Sequence, residues 1–197
     1  MSIRLLMKIL FSVMMIFIVL GLYAAPLERG YPLAPGAGAS AEERAQAYIN
    51  ARTKVIEAAV KYLGTPYRYG GTSEAGMDCS GFMFRCFHDA LGVSLPRSSS
   101  ILFTWVVSVP VENAQPGDLV FFRTNGSRSI NHVGLYVGNR HFIHAASAGS
   151  QTGVIFSSLN EQYYISSFAG FGRAFPETSP FNVNIIMIPF NNAAASE

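Results

Sequence analysis

Cysteine is nearly absent from this chain: Cys79 and Cys86 are its only two among 197 residues. They lie seven positions apart in one predicted helix, about 10 Å at helical rise. A disulfide needs Cα atoms within about 7 Å. A bridge between them is excluded, and both are expected to be free thiols. An excess of charge is missing as well. Charged residues make up 13% of the sequence, and the formal net charge is +2. A nucleic-acid partner, which needs a basic face, is not indicated. Internal repeats are absent. Long hydrophobic runs are scarce too: the exception is residues 9–25, which carry no charge.

That run has the features of an export signal. Arg4 and Lys8 precede it, its middle is apolar, and it ends in Tyr23-Ala24-Ala25. Its 17 residues fall short of the roughly 20 that a spanning helix needs. Cleavage after about residue 25 is expected; the alternative is an uncleaved anchor, the only membrane contact foreseen. No Cys near the exit offers a lipid attachment point. Removing residues 1–25 takes away Arg4 and Lys8 and no acid, leaving 12 basic against 12 acidic residues. An exported protein usually oxidises its cysteines, so a thiol kept free calls for a reason. Catalysis is one; simple burial is another, and it is the reading for Cys86.

Residues 26–39 are rich in Pro, Gly and Ala and read as a flexible linker. Ser40 and Glu43 form the sequence pattern of a capping box, followed by helical apolar spacing that Gly64 stops. Residues 65–77 hold Pro66, Gly70, Gly71 and Gly76 and read as a loop. A second helix is predicted over Cys79–Leu91, ended by Gly92, and a third over Ser98–Val107. Strand signals follow: Leu119–Phe122 after a Gln-Pro-Gly-Asp turn, Val133–Val137, Phe142–Ala146, Val154–Phe156 and Phe171–Phe175. Helices first and strands afterwards indicate an α+β domain with an antiparallel sheet, over residues 40–176. Residues 177–197 form an extension in which the apolar Ile185–Phe190 reads as an extra strand or a docking tail.

The chemistry gathers around Cys79. Asp78-Cys79-Ser80-Gly81 sits at a loop-to-helix junction, where free N–H groups and the helix dipole favour a thiolate. The N–H of Cys79 could also hold an oxyanion. The plainer reading is a buried structural Cys. His132 and His144 supply the support: a sulfur nucleophile needs an imidazole as base and acid, and that imidazole needs a third group to orient it. Side chains alternate along a strand, so the hairpin decides whether the two histidines meet. A three-residue loop Gly138-Asn139-Arg140 places them on one face, on a diagonal, with His141 on the other. A two-residue loop Gly138-Asn139 separates them unless a bulge compensates. Cys79, His132 and His144 could in principle bind zinc, but their long, uneven spacing resembles no compact metal motif; no metal or cofactor is expected. His88, two and a half turns along the helix, reads as a surface residue. Tyr67 either packs its loop or aims a phenol at the oxyanion.

Read together, the segments Gly64-Thr65-Pro66-Tyr67-Arg68-Tyr69-Gly70-Gly71, Asp78-Cys79-Ser80-Gly81-Phe82, Leu95-Pro96-Arg97-Ser98-Ser99, Gln115 to Phe122, Asn131 to Gly138 and Phe142-Ile143-His144-Ala145 resemble the NlpC/P60 family of cell-wall peptidases. The resemblance covers about residues 42–175. It implies a papain-like α+β fold and hydrolysis of peptidoglycan stem peptides, usually between γ-D-glutamate and a diamino acid. Carried over by position, Cys79 is nucleophile, His132 is general base and acid, His144 orients His132, and Tyr67 assists at the oxyanion. Asp78 and Ser80 shape the site and contact substrate. The implied protein is an exported monomer of the periplasm or cell envelope. No separate SH3-like or LysM wall-binding module is read in these residues, where the linker takes its place. A non-catalytic wall-binding or scaffold protein on the same fold is the rival reading, and an acyltransferase or amidase a third.

Overall fold

A computed structural model describes residues 39–149 and 151–174. The chain divides into two units, Met1–Tyr31 and Pro32–Glu197, and the described residues all belong to the second. The export segment, most of the linker and Ile185–Phe190 lie outside the described residues.

Helix α1 (Ala41–Lys61) opens as its sequence predicts. Ser40 Oγ accepts the Glu43 N–H, and Glu43 accepts the Ser40 N–H in return. Its inner face buries Ala51, Val55, Ile56, Ala58 and Ala59. A loop carrying the two-stranded β1 (Thr72–Ser73) and β2 (Gly76–Met77) follows. Helix α2 (Cys79–Leu91) is capped by Asp78 and ends at Gly92, whose φ of +70° suits a residue without Cβ. Helix α3 (Ser99–Trp105) stops two residues before the predicted end at Val107. The reason is tertiary: Val107–Val109 is claimed as strand β3 by pairing with Phe171–Arg173.

The remaining strands are β4 (Leu119–Phe122), β5 (His132–Gly138), β6 (His141–Ala146), β7 (Gly153–Ser158) and β8 (Phe168–Arg173). A short helix α4 (Gln162–Ser167), absent from the sequence reading, precedes β8. The six-stranded sheet has the order β3-β8-β4-β5-β6-β7 with antiparallel neighbours. This is the α+β architecture read from the sequence.

Both sheet faces are covered. Phe121 meets Phe103 of α3 edge-on, and α2 lies against β5 and β6. The next residue, Phe122, points the other way into a cluster with Phe142, Tyr164, Phe171 and Leu159 beneath α4. One buried carboxylate ties three elements together. Asp118 is fully buried and accepts two 2.9 Å bonds from Arg173, with Arg52 of α1 3.7 Å away. Among the described residues no helix is long and apolar enough to cross a membrane.

Candidate active site

The loop before α2 is stitched down by backbone pairing. Gly64 N–H donates to the Val154 carbonyl and Val154 N–H to the Thr65 carbonyl, while Met77 N–H donates to Pro66 and Arg68 N–H to Met77. Two glycines let the helix start press against this loop. A Cβ on Gly81 would lie 2.0 Å from the Gly71 oxygen, and one on Gly71 would lie 2.2 Å from the Gly76 oxygen. The helix carrying Cys79 and the loop carrying Tyr67 are therefore seated on each other with no room for a side chain between.

Asp78 and Ser80 direct their side chains inward. Asp78 Oδ1 accepts the Gly81 N–H at 2.6 Å and the Ser80 hydroxyl at 3.0 Å, while Oδ2 accepts the Gly70 N–H at 2.8 Å. Arg97 stands 3.5 Å from Oδ2. Ser80 is 5% exposed, with the Arg97 carbonyl as a second acceptor. Both side chains build the helix cap and pin the loop, with their polar atoms bonded inside the protein.

Cys79 is the first residue of α2 and is half-buried. The N–H groups of Val133, Ser80 and Cys79 point at its sulfur and favour the ionised form, but burial and then the Asp78 carboxylate outweigh them, and the thiol is pushed up to about 11. The thiolate expected from the helix start is thus corrected. The cap that shapes the helix is itself an anion beside the sulfur, and the site is short of water. Cys86 is fully buried, and burial raises its thiol further; both cysteines are free.

The two histidines meet. His132 Nε2 lies 2.8 Å from His144 Nδ1, with the rings nearly perpendicular at 86°. The hairpin achieves this with neither expected loop but with a compensating bulge. The turn has two residues, Asn139 and Arg140, both at positive φ, and Gly138 pairs with His141. A register shift between Tyr136 and Gly138 then inserts one extra residue, so that Leu135 faces Ile143. The bulge restores the parity that a three-residue loop would have given. Gly134 leaves the space: a Cβ there would sit 2.7 Å from the Phe142 ring and 3.2 Å from His144 Cβ. His141 is exposed, and so is His88, 3.4 Å from Asp89.

His144 is 1% exposed. Its second nitrogen, Nε2, faces the Ser157 hydroxyl at 3.1 Å and the Tyr164 hydroxyl at 3.2 Å. Neither partner was found from sequence, and neither carried a signal: Ser157 arrives by β6–β7 pairing and Tyr164 from the unforeseen α4. Burial lowers His132 to about 4 and holds His144 well below its ordinary range. At neutral pH the sulfur and both rings are uncharged. Among the described residues the thiol bonds to neither imidazole; its strand neighbour is the N–H of Val133, the residue after His132. Tyr67 is half-buried, and its hydroxyl bonds to no protein group among the described residues. Burial raises its pKa, and Cys79 is the next cause, which places the phenol in the field of the sulfur. Among the described residues no three His, Cys, Asp or Glu side chains form a group that could hold a metal ion.

A cysteine at a helix start, set against a strand-borne pair of histidines in an α+β domain, defines the papain-like class. Within that class the chain belongs to the NlpC/P60 family, whose model matches residues 64–173. It is 38% identical over 116 residues to murein DD-endopeptidase MepS/murein LD-carboxypeptidase of Escherichia coli K12, covering 59% of each protein. It is 38% identical over 120 residues to gamma-DL-glutamyl hydrolase of Bacillus subtilis, covering 60% of this chain and 28% of that one. The chain thus spans at most about three fifths of these two relatives. Among solved structures, an NlpC/P60 family protein from Bacillus cereus superposes with a TM-score of 0.57 at 34% identity, covering 64% of this chain and 40% of that chain. RipD of Mycobacterium tuberculosis, a non-catalytic NlpC/p60 domain protein, is similar in fold alone, at 21% identity and a TM-score of 0.51.

Proposed function

We propose that this protein is an exported cysteine endopeptidase that hydrolyses peptidoglycan stem peptides at the bond between γ-D-glutamate and a diamino acid. The observation that carries the reading is the bonded His132–His144 pair, whose first member stands on the strand whose Val133 N–H reaches Cys79. Names of relatives support the substrate class: a murein endopeptidase and a gamma-glutamyl hydrolase both share the matched region.

Because His132 Nε2 is engaged by His144, Nδ1 is the nitrogen left for the thiol. With sulfur and imidazole neutral at rest, the S–H proton passes to Nδ1 as the sulfur attacks the scissile carbonyl. The tetrahedral oxyanion is met by the Cys79 N–H and the Tyr67 hydroxyl. His132 then gives its proton to the leaving amine. Water, deprotonated by the same nitrogen, cleaves the thioester and frees the enzyme. Asp78 and Ser80 act by fixing the helix start and the Tyr67 loop. Residues 1–25 serve as export signal, 26–39 as linker, 40–176 as catalytic domain and 177–197 as an extension, and the site of action is the periplasm or cell envelope.

The test is digestion of purified wall followed by mass spectrometry of the muropeptides. Wild type is expected to release fragments cut after γ-D-glutamate, and Cys79→Ala to release none while keeping its fold. Equal release by both proteins removes Cys79 from the mechanism. Wall binding without release by wild type favours a scaffold. Release of fragments cut at the crosslink keeps the enzyme and changes the bond.

A further inference from the structure

We propose that Ser157 and Tyr164 are positioning residues that fix the tautomers of both histidines, by accepting the Nε2–H of His144 and so keeping the lone pair of His132 on the nitrogen that serves Cys79. The inference rests on the function proposed above only for its catalytic readout.

The bonded chain of rings permits two proton arrangements. In the first, His132 is protonated on Nε2 and donates to His144 Nδ1, and His144 is protonated on Nε2. Nδ1 of His132 is then free to take the thiol proton. In the second, His144 carries its proton on Nδ1 and donates to His132 Nε2, which forces the His132 proton onto Nδ1 and blocks the base. The choice is made at the far end of the chain, where His144 Nε2 meets the two hydroxyls at 3.1 and 3.2 Å.

Two hydroxyl oxygens can share one N–H, so the first arrangement uses both partners. Ser157 and Tyr164 also bond to each other, so they form one cluster of acceptors at this nitrogen. Without those oxygens the Nε2–H would be left unpaired, and the second arrangement, which leaves only a bare lone pair on Nε2, would win. Burial sharpens the choice, since His144 is 1% and Tyr164 8% exposed and an unpaired N–H has little water to turn to. Tyr164 is held for the task. Its ring is edge-on to Phe142 at 4.8 Å and packs on Phe122 at 5.1 Å. Its neighbour Tyr163 is anchored by a 3.1 Å bond to Asn125. Ser157 stands on β7, two residues beyond Ile155, the cross-strand partner of His144.

The experiment is ring-nitrogen NMR of purified protein labelled with ¹⁵N-histidine, which reports the tautomer without any turnover. Wild type is expected to show His144 protonated on Nε2 and His132 bare on Nδ1. Ser157→Ala/Tyr164→Phe is expected to move both rings toward the opposite tautomers. In that variant kcat on muropeptides falls about tenfold to a hundredfold with KM unchanged. Ser157→Thr/Tyr164→Phe, which restores one hydroxyl, returns both readouts toward wild type. His144 protonated on Nδ1 in the wild type overturns the proposal even if no variant folds. Unchanged tautomers in a folded double alanine–phenylalanine variant overturn it too. A wild type with the expected tautomers and no activity on wall leaves this inference standing and sinks the function instead.

Discussion

At Cys79 the electrostatic influences on the sulfur oppose one another, and burial decides the outcome. Three N–H groups favour the anion, while burial and the Asp78 carboxylate oppose it, giving about 11. Iodoacetamide labelling of Cys79 is therefore expected to be slow at pH 7 and to accelerate toward pH 10; a rate already at its plateau at pH 7 would show a stable thiolate. Cys86, sealed in the core, is expected to stay unlabelled until the protein unfolds. Tyr67 offers a second measurement. Its hydroxyl has no protein partner among the described residues, so Tyr67→Phe is expected to leave the melting temperature within about 2 °C while lowering kcat about tenfold to a thousandfold. A loss of stability with no change in kcat would reduce Tyr67 to loop packing. The identities of these residues were legible in the sequence, through the loop-to-helix junction and the family motifs. The protonation state of the sulfur was not, because it depends on how much water the finished fold leaves around Cys79.

Among the elements, the hairpin of β5 and β6 shows where local reading reaches its limit. The alternation rule correctly ties the histidine pair to loop parity, and the Gly-Asn-Arg turn signal is plain in the sequence. The choice of turn is not: Asn139 and Arg140 both adopt positive φ, and the extra residue is absorbed inside the strand. Helix α4 and strand β3 escaped for a related reason, since each is short and owes its conformation to the sheet it packs on or joins. Gly134 links the register to the site. Gly134→Ala is expected to crowd Phe142 and His144, cutting kcat at least tenfold and destabilising by about 1–3 kcal/mol; chemical denaturation with parallel assays would check both. A fully active, equally stable variant would mean that His144 does not depend on this gap.

At the scale of the whole domain, two features set stability. Asp118 is the buried carboxylate between Arg52 and Arg173, joining α1 and β8 to the turn that leads into β4. Asp118→Ala is expected to destabilise by about 3–5 kcal/mol, because it strands cationic groups in the interior; a urea midpoint near that of wild type would contradict the clamp. The other feature is the pH window. The folded His132 is depressed to about 4 from 6.5, and His144 shifts the same way. The unfolded chain therefore binds these protons first, and the stability from keeping both rings neutral is present above pH 6.5 and lost as pH falls toward 4. Cys79 acts at the other end: its folded value of about 11 exceeds the ordinary 9, so stability falls as pH rises through that interval. Urea midpoints across pH 4–11 are expected to trace a plateau between two declines. His132→Gln/His144→Gln is expected to flatten the acid side.

Neither cysteine is spent on a crosslink, and the core closes around Cys86 as it would around any small apolar side chain. Folding of this domain thus asks nothing of the thiol-oxidation machinery on either side of a membrane. A mild oxidant reaching Cys79 would silence the chemistry while leaving the scaffold standing, and a reductant would revive it from the sulfenic acid stage.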